Sequence, residues 1–170
     1  MIDRKKKCIT IIHMIVLGTC MHFVLELLPS GPIAVFLGNI FPVNETSWEH
    51  MKMIWYPFLI AGTIYSIREK DRGYFAAFVV SGAVAMQLQL GLFSIYQSFT
   101  GTSILVIDII IYFGTMLFCI LLAYDFADKG WTHKVLPLWI VLAVLITAGI
   151  IYLTYCPGKG YVFLDNEGFM

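Results

Sequence analysis

The stretch Asn44-Glu45-Thr46-Ser47-Trp48-Glu49-His50-Met51-Lys52 is the densest concentration of chemically capable side chains in the sequence. Its carboxylates, imidazole and ammonium are the groups that bind metal ions or pass protons to and from a substrate. Glu45, Glu49 and His50 are the candidate catalytic residues. Glu45, Glu49, Lys52 and Tyr56 share one face if a helix begins early enough in this stretch. Further back, His22 and Glu26 stand at i, i+4 spacing, with Gly18 continuing the same stripe. Asp108 opens a third polar stripe, with Tyr112, Thr115 and Cys119 at i+4, i+7 and i+11. The candidate ligand-binding set is His22, Glu26, Asn44, Glu45, Trp48, Glu49, His50, Lys52 and Asp108. Within it, His22, Glu26, Glu45, Glu49 and His50 are the candidate metal ligands.

Plainer roles compete for the same residues. Thr46-Ser47-Trp48-Glu49 fits the [ST]xxE capping box, which satisfies free N–H groups at a helix start. A Glu26–Lys52 or His22–Asp108 ion pair would simply hold helices together. Gln87 and Gln89 lie about 200° apart on a helix, so they do not look into one site. Asn44-Glu45-Thr46 also matches a three-residue glycosylation sequon. The cysteines, Cys8, Cys20, Cys119 and Cys156, have no CxxC or zinc-type spacing, and Cys8, Cys20 and Cys119, in or at the ends of apolar runs, read as small hydrophobes.

The elements that must position these groups follow from hydropathy. The chain has 170 residues, 59% of them hydrophobic and 13% charged, against about 45–50% and about 25% in soluble domains. So few charges cannot cover a soluble domain of this size. They are collected into short islands between apolar runs long enough to cross about 30 Å of hydrocarbon. Five runs qualify, at about 8–28, 48–67, 74–96, 103–126 and 135–155. The shorter stretch 33–41 lies between prolines and reads as a re-entrant or interfacial segment. The expected fold is therefore all-α, one transmembrane domain over residues 1–170 built as a five-helix bundle. Pro57 should kink the second span, and Ser81, Gly82, Ala83 and Ala85 should let the third pack closely.

Nine of the 11 basic residues fall in the N-terminal segment and in the connections at about 68–73 and 127–134, and only Lys52 and Lys159 fall elsewhere. With the N-terminus cytoplasmic and the C-terminus outside, this is the positive-inside pattern. A cleaved signal peptide is the rival reading of the first run, but the run exceeds the usual apolar core and lacks an A-x-A site. Eleven basic and 11 acidic residues balance, so nothing points to nucleic acid as a partner. The implied partners are the lipid bilayer and a lipid or small-molecule ligand.

Phe41 to Lys52, followed by Pro57, resembles the signature of a bacterial family of small multi-pass membrane proteins of unknown function, approximately PVNES-x-WEH-x-K. His22-Phe23 and the closing Phe163-Leu164-Asp165 with Gly168 are similar to weaker features of that family. The resemblance implies a bacterial plasma-membrane location and marks Asn44, Glu45, Trp48, Glu49, His50 and Lys52 as signature positions. It implies no activity and no cofactor.

Three functions are compatible with these residues. The first is a membrane protein with a polar ligand-binding site near the outer face. The second is a membrane-embedded, metal-dependent enzyme acting on a lipid or lipid-linked substrate, for which no established ligand motif such as HExxH is present. The third is a small proton-coupled transporter using Glu26 and Asp108, although no inverted repeat is visible.

Overall fold

The computed structural model describes residues 4–24 and 31–157. Among these residues it is wholly helical, with six α-helices and no strand: α1 (Arg4–Phe23), α2 (Pro32–Leu37), α3 (Lys52–Arg68), α4 (Gly73–Thr100), α5 (Leu105–Lys129) and α6 (Leu136–Tyr155). Two short 3₁₀ turns, Glu49–Met51 and Trp131–Val135, lead into α3 and α6. Helices α4, α5 and α6 are long and apolar enough to cross a membrane. Helix α3 has 17 residues, and the apolar part of α1, Lys7–Phe23, is also shorter than a full span. The expected runs at 74–96, 103–126 and 135–155 thus appear as whole helices. The end of the expected first run, including Glu26, lies outside the described residues, as do Lys159 and the Phe163–Gly168 segment.

Local chemistry sets the helix ends. α4 and α5 stop at Gly101 and Gly130, whose φ values of 71° and 68° suit the left-handed cap that glycine adopts without a Cβ clash. α2 and α6 carry proline in the first turn, where its missing N–H costs nothing.

Helix α4 is the centre of the bundle, packed on α3, α5 and α6, while α1 closes the other side against α3 and α5. Glycines bring α3 and α4 together. A Cβ on Gly62 would stand 2.8 Å from the Phe78 Cβ, and one on Gly82 the same distance from the Phe58 Cβ. Around this contact Trp55, Phe58, Tyr65, Phe78 and Tyr124 form the aromatic core. The α1–α3 crossing depends on Gly18 and Pro57. Proline at 57 has no N–H for the carbonyl of Met53, and that carbonyl lies so close to Gly18 that any side chain there would strike it and the Tyr112 hydroxyl.

The two ends of the bundle differ. At one end Lys7 pairs with Asp128 at 3.7 Å and lies over the Tyr124 ring, and Lys129 pairs with Asp125. Thr10 bonds Tyr65 near the same end, one turn before Arg68. The opposite end carries His22, the segment 31–48 as a strap, and the last turn of α6. The outward faces of α5 and α6 are strongly apolar and exposed, with Ile110, Phe118, Val144 and Leu145 among them. That is the surface of a helix whose solvent is hydrocarbon.

Candidate metal centre

The strap begins with α2 and returns through a turn at 38–40 to the 3₁₀ entrance of α3. Asn44 initiates the entrance: its side-chain oxygen accepts from the Thr46 N–H at 3.1 Å and the Thr46 hydroxyl at 2.7 Å. The Thr46 hydroxyl in turn accepts from the Glu49 N–H at 3.3 Å. This is one half of the expected capping box. The other half does not form, because the Glu49 carboxylate turns into the protein.

There it meets Lys52. Lys52 Nζ lies 2.5 Å from Glu49 Oε2, with side-chain exposures of 0% and 3%. The ammonium also donates to the carbonyls of Gly38 at 2.6 Å and Phe41 at 3.3 Å, so each of its three protons has an acceptor. Glu49 Oε2 accepts from the Val43 N–H at 3.0 Å, and Oε1 accepts from the Thr154 hydroxyl of α6 at 3.0 Å. Tyr56 donates to the Asn39 carbonyl, and Tyr155 to the Val35 carbonyl at 2.9 Å. The result is a closed clasp joining strap, α3 and α6. All three Lys52 protons are taken by protein acceptors, and both Glu49 oxygens already accept hydrogen bonds from protein donors.

Glu45 leaves this group. It does not share a face with Glu49 and Lys52, because the chain before Thr46 is a turn and not a helix. Its carboxylate points toward His22 of α1, Oε1 to Nε2 at 3.9 Å, and toward His50, Oε2 to Nε2 at 3.5 Å. The two imidazole rings are 5.2 Å apart. One donor atom from each of His22, Glu45 and His50 lies within 4.8 Å of the others. His50 Nδ1 is 2.8 Å from the Thr46 carbonyl. A carbonyl only accepts, so Nδ1 carries the proton and Nε2 of the neutral ring presents a lone pair toward Glu45. His22 Nδ1 is buried with no hydrogen-bond partner. Glu45 is half-exposed; when His50 is protonated its Nε2–H faces this carboxylate, and that hydrogen bond holds the Glu45 carboxyl below the usual carboxylate range, against the opposing effect of its partial burial. Two imidazoles and one carboxylate are a donor set suited to zinc and other first-row divalent ions.

The remaining candidates separate from this cluster. Asp108 is engaged by the Tyr96 and Ser103 hydroxyls at the α4–α5 turn, so the anticipated His22–Asp108 pair does not form. Lys52 pairs with Glu49; Glu26, the other expected partner of Lys52, lies outside the described residues. Trp48 is partly buried beside the core. Gln89 is buried and Gln87 exposed, as their angular separation requires. Sequence reasoning did not single out Thr154, Asn39 or the Gly38 and Phe41 carbonyls. Thr154 carries a signal after the fact, a hydroxyl beside Tyr152 and Tyr155 in an otherwise apolar helix; backbone carbonyls carry none.

A helical bundle with apolar helices that could span a membrane, and with a His–Glu–His cluster beside an internal Lys–Glu clasp, defines the class of protein. The chain belongs to a family of unknown function: the model described as "Family of unknown function (DUF6512)" matches residues 2–168. No curated protein and no solved structure matches it.

Proposed function

We propose that this chain is a five-span protein of the bacterial plasma membrane, N-terminus cytoplasmic and C-terminus outside, that holds a divalent metal ion at its outer end through His22, Glu45 and His50. The observation that carries the metal reading is the convergence of three donor atoms within 4.8 Å, with the His50 tautomer set by the Thr46 carbonyl. Such a hydrogen bond on the far ring nitrogen is the usual support of a metal-bound histidine. Tetrahedral zinc with bonds of about 2.0–2.1 Å places its ligand atoms about 3.3 Å apart. The 3.5 and 3.9 Å separations, which run to different Glu45 oxygens, are near that value, and the widest donor pair, within 4.8 Å, would close by up to about 1.5 Å onto one ion.

Five spans are supported by geometry as well as hydropathy. The 3₁₀ turn at 49–51 runs directly into α3, and together they rise about 31 Å, the thickness of the hydrocarbon core. The charges this adds, Glu49 and Lys52, are paired and face inward, as charges in a span must. The orientation rests on the nine basic residues that gather at one end. The bacterial location rests on the resemblance carried by Asn44–Lys52. Tags at the two termini, probed for protease access in intact cells, test the orientation: equal access at both ends would end the five-span reading.

Three protein ligands leave at least one coordination position free, the arrangement of catalytic rather than purely structural zinc. The exposure of Glu45 keeps that position in reach of the outer aqueous phase. A metal-dependent enzyme acting on a lipid or lipid-linked substrate is thus the second reading, with the clasp residues Glu49 and Lys52 as its scaffold. The deciding experiment is metal analysis and zinc titration of the detergent-purified protein, first stripped with chelator. One ion per chain is expected in the wild type, with a 10–100-fold or greater loss in His22→Ala, Glu45→Gln and His50→Ala. No binding of zinc, manganese or nickel by folded wild type would sink the proposal.

A further inference from the structure

A second feature lies toward the other end of the bundle, on the face where α1 and α3 meet. The two helices enclose a groove of about 420 Å³ between Ile9–Leu17 and Pro57–Arg68. Its floor is Met14, Ala61 and the Thr10–Tyr65 pair, all buried. One of these two hydroxyls donates to the other, so that proton is satisfied within the floor. Its walls are Ile9, Leu17, Ile60 and Ile64, all substantially exposed. The small side chain of Ala61 recesses the floor, and Pro57 stands at the end nearer the Gly18 crossing. Polar groups occur at two places. His13 has its Nδ1 held by the Ile9 carbonyl at 2.8 Å. Arg68 stands at the rim, well exposed, its Nε 3.9 Å from Glu69 and too far to be hydrogen-bonded there.

From Pro57 to Arg68 a helix rises about 16 Å, close to half of the roughly 30 Å hydrocarbon core. The groove therefore has the depth of a single leaflet, mostly apolar along its length, with the Arg68 guanidinium at one mouth. We propose that it is a binding site for one anionic phospholipid of the cytoplasmic leaflet, an acyl chain lying over Ala61 between Ile9–Leu17 and Ile60–Ile64, and the phosphate at Arg68. Charge complementarity selects the occupant: an arginine at the headgroup level forms bidentate, charge-assisted bonds to a phosphate. A zwitterionic lipid presents the same tails but also a cation next to that arginine. The choice of leaflet rests on the five-span orientation proposed above; the existence of the site does not, so tag accessibility and lipid binding fail separately.

The test is native mass spectrometry of the purified protein in mild detergent, given equal amounts of phosphatidylglycerol and phosphatidylcholine with the same acyl chains. One phosphatidylglycerol should be retained per chain, with about fivefold preference over phosphatidylcholine, the effect of one cation at the surface. Arg68→Gln should abolish the preference and leave weak retention of both. Ala61→Leu should expel both lipids; Ile60→Trp, on the exposed wall, does the same if Ala61→Leu fails to fold. Equal retention of both lipids by the wild type, retention of neither, or a preference that survives Arg68→Gln would overturn the proposal. A dimer that lipid cannot dissociate and that Ile60→Trp breaks would assign the groove to a second copy of the chain, and would equally overturn it.

Discussion

Lys52 and Glu49 meet at 2.5 Å with both side chains buried. An internal ion pair recovers its desolvation cost only when the remaining protons and lone pairs are also satisfied. Here the Gly38, Phe41, Val43 and Thr154 groups do that. Removing one partner strands the other. Lys52→Met or Glu49→Gln alone should destabilise the protein by about 3–5 kcal/mol, read as a lowered thermal midpoint in detergent. Lys52→Met combined with Glu49→Leu should recover much of that loss. Additive losses in the double variant would show that the pair is not the unit.

The clasp and the His–Glu–His cluster should respond independently. Glu49→Gln is expected to lower stability and leave metal stoichiometry intact in the folded fraction, whereas His50→Ala should do the reverse. Parallel loss of metal and stability in both variants would mean that the cluster is only an extension of the clasp.

Gly18 is the point where α1 touches the carbonyl that Pro57 leaves without a helical partner. Gly18→Ala should destabilise by about 1–3 kcal/mol, the range of overpacked sites. Tyr112→Phe in the same chain should relieve only part of this, because Met53 contributes backbone that cannot swing away. Full rescue by Tyr112→Phe would place the conflict on the hydroxyl alone.

Helix α6 has few buried residues of its own, Ala143 and Ile150 among them, and is hooked to α3 by hydrogen bonds. Trp55 Nε1 donates to Thr147 at 3.0 Å, with the indole fully buried. Thr147→Val keeps the shape but leaves that donor without an acceptor, a cost of about 1–3 kcal/mol. A Trp55 fluorescence shift and faster proteolysis near α6 should accompany it; unchanged stability would mean another acceptor takes the indole proton.

The acid limb of stability should depend on Glu45. Its carboxyl is more acidic in the folded chain, chiefly through the hydrogen bond from His50, with its burial acting the other way. Such a group contributes stability above its unfolded pKa, about 4.3, and that contribution is lost as the pH falls through the folded value. Metal-free protein should therefore lose thermal stability below about pH 4.3, and Glu45→Gln should show a shallower decline there. Equal slopes would exclude the Glu45 contribution.

Much of the architecture could be read directly from the residues. The apolar runs at 74–96, 103–126 and 135–155 reappear as α4, α5 and α6 because hydrocarbon-facing helices need no long-range information to be recognised. The cluster was harder. Helical periodicity placed Glu45 with Glu49 and Lys52 on condition of an early helix start, but the Asn44 turn delays the helix, and Glu45 turns to His22 and His50 while Glu49 turns to Lys52. Likewise Thr46 fitted a capping box, and only its hydroxyl behaves as one. A buried ammonium outbids the free N–H of a helix start for a carboxylate, and no local pattern records that Lys52 would be buried. Pairings across the bundle, such as Glu49 with Thr154, depend on helix order, which periodicity does not encode.

The three side chains of the His–Glu–His cluster come from three different stretches: His22 from α1, Glu45 from the strap, His50 from the turn that begins α3. No two of these stretches alone supply the full set. The cluster exists only when the first helix has been threaded, the strap has crossed over its end, and the next helix has returned beside it. Its geometry is thus a certificate of completed assembly, and a bound ion would act as a seal on that certificate, fastening at this end of the bundle three stretches that the backbone by itself leaves apart.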